Sequence, residues 1–481
     1  MKHSLTIAAV VCWLGMVALL VHKQTPPPAL DLEALPAAEE GARDEWFGVY
    51  QGDRKIGHTH RVFTGTDAGW TVRDDTRLSL AMLGTPQPVV TSLVAEMNAA
   101  CALRRFRFTL DSAAASFAAH GEADAERLRV VYGPRGEGKE LTIPLEQPIF
   151  LPSALRPRLL AARPEPGARY TYAVFNPLTL AHQSIAVTVE ARETIDGPDG
   201  PVDTLRIAEE HEGLKARAWL DAAGGAMREE GMLGLVLRRE TAATAQRGID
   251  TEAPVDLAIT SRIPLDGTIA DPRATSALTL RVRGEAARRI PSDPPRQRLR
   301  GELLRIVREA PPPPATDPPP ATLAAYTAPG PFIESDAPEI AATARAVAGS
   351  GTAADRARRI VDWVHDHLTQ EPSLTVPSAL EVFRARRGDC NEHAVLLAAL
   401  ARAAGIPARV VAGAVYAGDG FYYHAWNELW VGAWVSADAI FAQLPVDATH
   451  VKLLEGGPEH HIELAGMMGR LAFATVEEEG S

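Results

Sequence analysis

The chain has 481 residues, 46% of them hydrophobic and 23% charged, so it is long enough for about two to four globular domains and too apolar for wholesale disorder. Its formal net charge is −12, and no block of Lys and Arg is long enough to form a basic face, which argues against nucleic acid as a partner. The three cysteines, Cys12, Cys101 and Cys390, are too few for a disulfide framework.

The first predicted element is an apolar helix. Residues 4–21 are almost wholly apolar, and a helix of that length, at about 1.5 Å per residue, approaches the hydrocarbon thickness of a bilayer. The residues that follow, His22 to Pro26, offer no small-residue site for cleavage as a signal peptide. We therefore predict a single transmembrane helix, an uncleaved anchor at residues 1–23. Positive charge is nearly balanced across the run, so charge alone leaves the orientation open.

A region of predicted strands follows the anchor. Residues 24–44 form a short linker in which three consecutive prolines, 26–28, act as a stiff spacer. Across residues 45–309, short alternating apolar runs are broken by Gly, Asp and Pro, a pattern typical of strands. The first two runs flank Gly52-Asp53 and predict a β-hairpin. We expect residues 45–309 to form one or two β-rich domains.

A proline-rich stretch at residues 310–331 predicts an extended linker and the main domain boundary. The apolar period then becomes helical in a predicted domain at residues 332–460, which a tail at 461–481 follows. We expect Ser335 to cap a helix that ends near Ala348. Thr352 and Asp355 predict a capping box for the next helix. Further helices are predicted at residues 378–385 and 390–404, and strands at 408–416, 421–431 and 433–437.

Cys390 lies at the predicted start of a helix. A thiol attacks an amide as the thiolate, and the partial positive charge of a helix N-terminus lowers a cysteine pKa. The preceding Gly388 allows a tight turn, and the first-turn amides could donate to an oxyanion. The position therefore suits a nucleophile.

His424 and Asp438 supply the other groups that such chemistry requires. His424 lies on a predicted strand, where an imidazole could act as the general base for Cys390. Asp438 ends a strand further along the chain and could orient the ring through its other nitrogen.

These motifs together resemble those of the bacterial transglutaminase-like superfamily, a group with a papain-like cysteine catalytic domain. The resemblance lies in residues 388–394 (GDCNEHA), 424–428 (HAWNE) and 434–438 (WVSAD). It implies an α+β fold and a catalytic triad of Cys390, His424 and Asp438, without a metal or an organic cofactor. The family often has Asp-Pro-Thr at the third site, where this chain has Asp438-Ala439-Ile440. Asp447, in a later and looser match, is an alternative for the orienting role.

Simpler interpretations remain for some of these residues. A lone cysteine at a helix start is usually a buried apolar residue. Cys390, His393, His424 and Asp438 have the ligand types of a zinc site, but no second cysteine supports one, and His393 lies almost one turn into the helix. Asn427 is three positions from His424 on the strand and should point to the opposite face, so no role is assigned to it.

The resemblance implies a membrane-anchored cysteine enzyme that transfers an acyl group from an amide bond of a peptide or protein, either to water or to an amine. We expect the catalytic domain on the extracytoplasmic side, in the periplasm at the inner membrane. The alternative is a non-catalytic transglutaminase-like scaffold, or an envelope protein whose β-rich region binds a protein or a glycan.

Overall fold

A computed structural model describes residues 42–476, except 67, 83, 113–115, 134–137, 212–213, 232–233, 252–253, 261, 311–319, 373–377, 457–463 and 465–466. The anchor predicted at residues 1–23 lies outside the described residues, as does most of the linker at 24–44. In the part of the chain that is described, no helix has the length and hydropathy needed to cross a bilayer.

The N-terminal half is dominated by one sheet, which the described residues build from sixteen strands. Its spatial order runs from β8 down to β1 and then from β15 down to β9, and β16 pairs with β3. The strands are β1 (Arg43–Gln51), β2 (Arg54–Thr66), β3 (Gly69–Met82), β4 (Thr85–Asn98), β5 (Leu103–Ser112), β6 (Ser116–Ala123), β7 (Arg127–Gly133), β8 (Lys139–Pro144), β9 (Ile149–Phe150), β10 (Arg169–Asn176), β11 (Ala181–Gly197), β12 (Gly200–His211), β13 (Leu214–Leu220), β14 (Ala226–Glu230), β15 (Leu235–Glu240) and β16 (Val255–Asp256). Three helices accompany them, α1 (Pro152–Ala161), α2 (Ala242–Ala245) and α3 (Leu257–Thr260).

This sheet follows the alternating pattern of the sequence. On β7, Leu128 and Val130 are buried, whereas Arg127 and Arg129 face solvent. The predicted hairpin is confirmed, since β1 and β2 pair in antiparallel register around the Gly52 turn. The sheet curves over its own core. As a result, the ring of Phe106 on β5 lies against the ring of Phe175 on β10, with centroids 5.0 Å apart.

A second sheet of nine described strands lies in the C-terminal half, in the order β19-β20-β18-β27-β17-β24-β23-β26, with β25 paired to β24. A two-stranded sheet, β21 with β22, accompanies it. The strands are β17 (Ile263–Asp266), β18 (Ala277–Arg283), β19 (Gln297–Arg300), β20 (Leu303–Val307), β21 (Thr369–Gln370), β22 (Arg387–Gly388), β23 (Ala408–Ala417), β24 (Gly420–Trp430), β25 (Trp434–Ala437), β26 (His450–Glu455) and β27 (Ala472–Thr475). The helices of this half are α4 (Pro338–Ala348), α5 (Ala353–His367), α6 (Ala379–Ala385) and α7 (Cys390–Ala403).

The two sheets do not divide at the proline-rich stretch. Strands β17 to β20 lie within the predicted β-rich region at 45–309, yet they belong to the sheet that also contains β23 and β24. Similarly, β27 comes from the predicted tail but pairs with β17 and β18 in the interior of that sheet. The predicted domain limits therefore stay a prediction. The hydrogen-bonded strand pairing of the second sheet crosses both the limit at the proline-rich stretch and the limit before the tail.

The helices of the C-terminal half follow their local signals with one exception. Thr352 and Asp355 form the predicted capping box of α5. The predicted cap at Ser335 is wrong, because α4 begins at Pro338 and Ala337 is its N-cap. Proline at the first helical position is pre-set for a helix start, which explains the shift.

Helix α7 is the central helix of the C-terminal half. It packs between the other helices and strands β23 and β24, and its side chains from Ala394 to Ala401 are buried. A helix covered on all sides in this way needs apolar residues on every face. This packing presents the N-terminus of α7 to β24.

Candidate active site

The N-terminus of α7 is held by a capping box. The side chain of Asp389 accepts from the backbone N–H of Asn391 at 2.8 Å, and that of Glu392 accepts from the N–H of Asp389 at 2.9 Å. Gly388, at φ +154°, precedes the box, and a Cβ there would lie 2.3 Å from Cβ of Glu392. Only glycine therefore fits before the box. The box places Cys390 as the first residue of the helix.

The Cys390 thiol has a raised pKa. Burial is the largest cause, and the negative charges of Asp389, Glu392 and Asp438 add to it, whereas a backbone hydrogen bond from Ala425 acts in the opposite direction. The lowering expected from the helix N-terminus is therefore outweighed, because the thiol is desolvated and the capping carboxylates lie beside it. A neutral thiol at this position needs a base to remove its proton.

His424, on β24, provides an imidazole whose orientation is fixed. Its Nε2 lies 2.7 Å from Oδ2 of Asp438, and both side chains are buried. An ionised carboxylate only accepts hydrogen bonds, so Nε2 is the nitrogen that has the hydrogen, and Nδ1 keeps a free lone pair. Burial alone would raise the pKa of Asp438, but the attraction of His424 and His450 when they are protonated, together with their hydrogen bonds, holds it well below its usual range.

The three predicted residues come together in two different ways. His424 and Asp438 are joined by a direct hydrogen bond. Cys390 approaches them without a described side-chain hydrogen bond to either, and its pKa responds to the backbone of Ala425, the neighbour of His424 on β24, and to the charge of Asp438. The described contacts do not include a hydrogen bond between Cys390 Sγ and the His424 ring.

Two side-chain bonds lock β24 against α7. Nδ2 of Asn427 donates to the carbonyl of Ala394 at 2.9 Å, and the hydroxyl of Tyr423 donates to Oδ1 of Asn391 at 2.6 Å. Asn427 does face away from His424 along the strand, and that direction leads it to the helix. It therefore sets the distance between the strand of the histidine and the helix of the cysteine.

A second histidine lies behind Asp438. Nε2 of His450 is 3.0 Å from Oδ2 of Asp438, and its Nδ1 is 3.3 Å from Oδ1 of Asp447. On the far side, Nη1 of Arg273 is 2.9 Å from Oδ2 of Asp447. Asp447 thus contacts His450 and not His424, so the carboxylate that touches the His424 ring is Asp438. His450 is absent from the residues that the sequence singles out, although it ends the motif VDATH.

The cluster has the ligand types of a metal site but the spacing of a hydrogen-bonded network. The ligand atoms of His424, Asp438 and His450 all lie within 4.8 Å of one another. Ligands about 2.0–2.1 Å from a tetrahedral zinc ion would be about 3.3 Å apart. The two Nε2–Oδ2 distances, 2.7 and 3.0 Å, are instead ordinary hydrogen-bond lengths. His393, from the zinc alternative, directs Nδ1 to the carbonyl of Asp389 at 2.7 Å.

Aromatic rings enclose this network. The ring of Trp426 stacks on His424 at 6.1 Å between centroids and meets His450 edge-on at 5.3 Å. Phe441 packs against both imidazoles, at 5.5 and 5.9 Å. These rings exclude water, which strengthens the hydrogen bonds inside them.

The comparisons with known proteins agree with the motifs. Residues 340–439 match the family profile of the Transglutaminase-like superfamily. The matched segment contains most of α4, all of α5 to α7, Cys390, His424 and Asp438, and it ends before Asp447. The predicted resemblance is therefore confirmed for this segment: the chain is a strand-rich α+β protein that contains a transglutaminase-like domain.

Several solved structures match the chain at low similarity. One, from Cytophaga hutchinsonii, is described as "a Putative Cysteine Protease"; it is 16% identical, with 44% of this chain and 89% of that chain covered and a TM-score of 0.29. A "putative protease" from Parabacteroides distasonis is 12% identical, with 70% and 69% covered and a TM-score of 0.21. A β-barrel-like protein of unknown function from Brucella abortus is 12% identical, with 42% and 97% covered and a TM-score of 0.34. TM-scores this low add no argument about function. No curated protein matches the chain significantly.

Proposed function

We propose that this protein is a cysteine enzyme that breaks amide bonds by acyl transfer. Cys390 is the nucleophile, His424 the general base and Asp438 the group that orients the imidazole. The observation that supports the proposal most directly is the buried bond between His424 Nε2 and Asp438 Oδ2, at 2.7 Å. It leaves the opposite ring nitrogen free to take a proton, and the backbone of the next residue, Ala425, influences the pKa of the cysteine.

The reaction follows from the protonation states of these groups. Because burial and the capping carboxylates keep the Cys390 pKa high, the thiol is neutral at rest and passes its proton to Nδ1 of His424 as sulfur attacks the carbonyl carbon. The S–C bond forms and, as the tetrahedral intermediate collapses, the C–N bond breaks. His424 then gives the proton to the leaving amine. The acyl group passes from sulfur to water, as in a peptidase or amidase, or to an amine, as in a transglutaminase.

We further propose that the enzyme acts on a peptide or protein and is anchored to the membrane through residues 1–23, with its catalytic domain in the periplasm. The support is the apolar run at residues 4–21. Carbonate extraction of membranes that contain the full chain should leave it in the pellet. Release into the supernatant would contradict an anchor.

The primary test is the rate of alkylation of Cys390 by iodoacetamide as a function of pH, measured on the full chain in mild detergent by peptide mass spectrometry. The variant is His424→Ala, and His367→Ala, an exposed histidine of the same half of the chain, is the matched control. Cys101, which is buried, is labelled only if the protein unfolds.

We expect the wild type and His367→Ala to label Cys390 well below the free-thiol pKa of about 8.5, because His424 takes the thiol proton as the sulfur attacks, and His424→Ala to lose this reactivity. A rate that rises only near that pH and ignores His424 would refute the enzyme and favour the non-catalytic scaffold.

The acceptor can be identified with a protein substrate such as casein and a fluorescent primary amine. Covalent incorporation of the amine indicates transamidation, whereas new peptide ends or released ammonia without incorporation indicate hydrolysis. Cys390→Ala is the blank for both.

A further inference from the structure

His450 is a buried histidine that the mechanism above does not use. It is 0% exposed, and each of its ring nitrogens faces a carboxylate oxygen, Asp438 Oδ2 on one side and Asp447 Oδ1 on the other. Its position is unusual because the same oxygen, Oδ2 of Asp438, also contacts His424. Two imidazoles therefore share one acceptor.

We propose that His450 is a positioning residue for the reaction: it donates from Nε2 to Asp438 and so fixes the carboxylate that orients His424. This inference rests on the proposed function, because the hydrogen-bonded path from His450 toward Cys390 runs through Asp438 and His424.

The hydrogen-bond geometry around Asp438 supports this role. Its Oδ1 accepts from the backbone N–H of Ile440 at 2.7 Å, which fixes one oxygen. Its Oδ2 is held between the Nε2 atoms of His424 and His450, at 2.7 and 3.0 Å. Without His450, the carboxylate of Asp438 could rotate about its Cβ–Cγ bond, and the His424 ring would turn with it.

His450 is itself held from two directions. Oδ1 of Asp447, its partner at Nδ1, also accepts from the backbone N–H and the hydroxyl of Thr449. The buried guanidinium of Arg296 donates to the backbone carbonyls of Asp447 and His450, at 2.8 and 3.1 Å. Arg296 and Arg273 both come from the part of the chain before the proline-rich stretch. That part therefore supports the network that ends at His424.

Two amide variants separate the two bonds of His450. The side-chain nitrogen of glutamine lies close to where Nε2 of histidine lies, and that of asparagine close to where Nδ1 lies. His450→Gln therefore keeps a donor for Asp438, whereas His450→Asn keeps a donor for Asp447 only. Both variants replace an imidazole with an amide, so they are matched in lost aromatic packing.

The test is the alkylation rate of Cys390 at neutral pH in the full chain, for the wild type, His424→Ala, His450→Gln and His450→Asn. We expect His450→Gln to stay within about threefold of the wild type and His450→Asn to be slower by about tenfold, the loss of one hydrogen bond to a charged group. The absence of label on Cys101 shows that each variant is folded.

Three outcomes overturn the inference. If His450→Asn labels like the wild type while His424→Ala is slow, His450 does not position Asp438. If the alkylation rate falls equally in both His450 variants, the role of His450 is packing alone. If His424→Ala labels like the wild type, the proposed function fails and this inference fails with it.

A second measurement covers the case in which His450→Asn does not fold. The wild-type protein, labelled with ¹⁵N in its histidines, should show a proton bound to Nε2 of His450, assigned by its loss in His450→Gln. An unprotonated Nε2 at that residue overturns the inference.

Discussion

The substitution Asp438→Asn is the most direct perturbation of the candidate site. Asparagine has nearly the same size, so packing is kept, but one acceptor oxygen becomes an NH₂ donor. In the native arrangement one carboxylate oxygen accepts from Ile440 and the other from His424 and His450. Whichever way the amide is turned, its NH₂ group faces an N–H donor. If that donor is His424, the ring must change tautomer, and Nδ1 then has the hydrogen and cannot accept the proton of Cys390.

The magnitude follows from the bond that is lost. A hydrogen bond to a charged group contributes about 1.5–3 kcal/mol, and a factor of ten in rate corresponds to about 1.4 kcal/mol. The loss of the 2.7 Å bond between His424 and Asp438 therefore predicts a decrease of about 10- to 150-fold in the alkylation rate of Cys390 at neutral pH.

The assay is iodoacetamide labelling of Cys390, with Asp447→Asn as the matched control. Asp447 is a buried aspartate of the same network that does not contact His424; an asparagine there can still accept from Thr449 and His450 and turns its NH₂ group toward Arg273, so this control also loses a charged partner but keeps the His424 bond. We expect the control to remain within about threefold of the wild type, since it keeps the His424 bond. A folded Asp438→Asn that labels as fast as this control would refute the tautomer argument.

The same variant predicts a pH dependence of stability. The pKa of Asp438 is held below its unfolded value of 3.8, so its contribution to the free energy of unfolding is full above that value and is lost as the pH falls through and below it. The stability difference between the wild type and Asp438→Asn should therefore be constant near neutral pH and shrink below about pH 4. Urea unfolding at several pH values measures it, and a difference that grows on acidification would contradict the assigned sign.

Three further substitutions test how the site is built. Gly388→Ala places a Cβ 2.3 Å from Cβ of Glu392 and should lower the free energy of unfolding by about 2 kcal/mol and slow labelling of Cys390; unchanged urea unfolding and labelling would contradict the tight fit. Asn427→Ala removes the bond to the Ala394 carbonyl and should cost about 1–2 kcal/mol and also slow labelling, whereas a stability loss without slower labelling would restrict Asn427 to the core. Leu396→Ala, in the fully buried part of α7, should cost about 2–5 kcal/mol by urea unfolding, and a loss below about 1 kcal/mol would show that the core around α7 is loosely packed.

The local features of this protein could be predicted from the sequence because short-range rules govern them. The Thr352 capping box and the helix that starts at Cys390 depend on residues within one turn, and the β1–β2 hairpin depends on alternation around a Gly-Asp turn. The resemblance that placed a transglutaminase-like domain around Cys390 also lies in short motifs. The predicted cap at Ser335 shows the limit of such rules. A cap there would start the helix at residue 336, but Pro338, which suits the first helical position, starts it two residues later.

Only the tertiary structure decided which distant groups meet. The sequence offers Asp438 and Asp447 as alternatives, and the contact with His424 depends on how β24, β25 and β26 align. His450 enters the network through that alignment, and so do Arg273 and Arg296, which lie more than a hundred residues away in the chain.

The sign of the Cys390 pKa shift also depends on the whole fold. The helix N-terminus by itself predicts a lower pKa, but a pKa is a sum over all nearby charges and over lost solvent. The burial of the thiol and the carboxylates near it are set only when the helix packs on its sheet, so neither can be read from the sequence. Short-range propensity therefore determined where the reactive residues stand along the chain, and long-range packing determined the electrostatic environment in which they act.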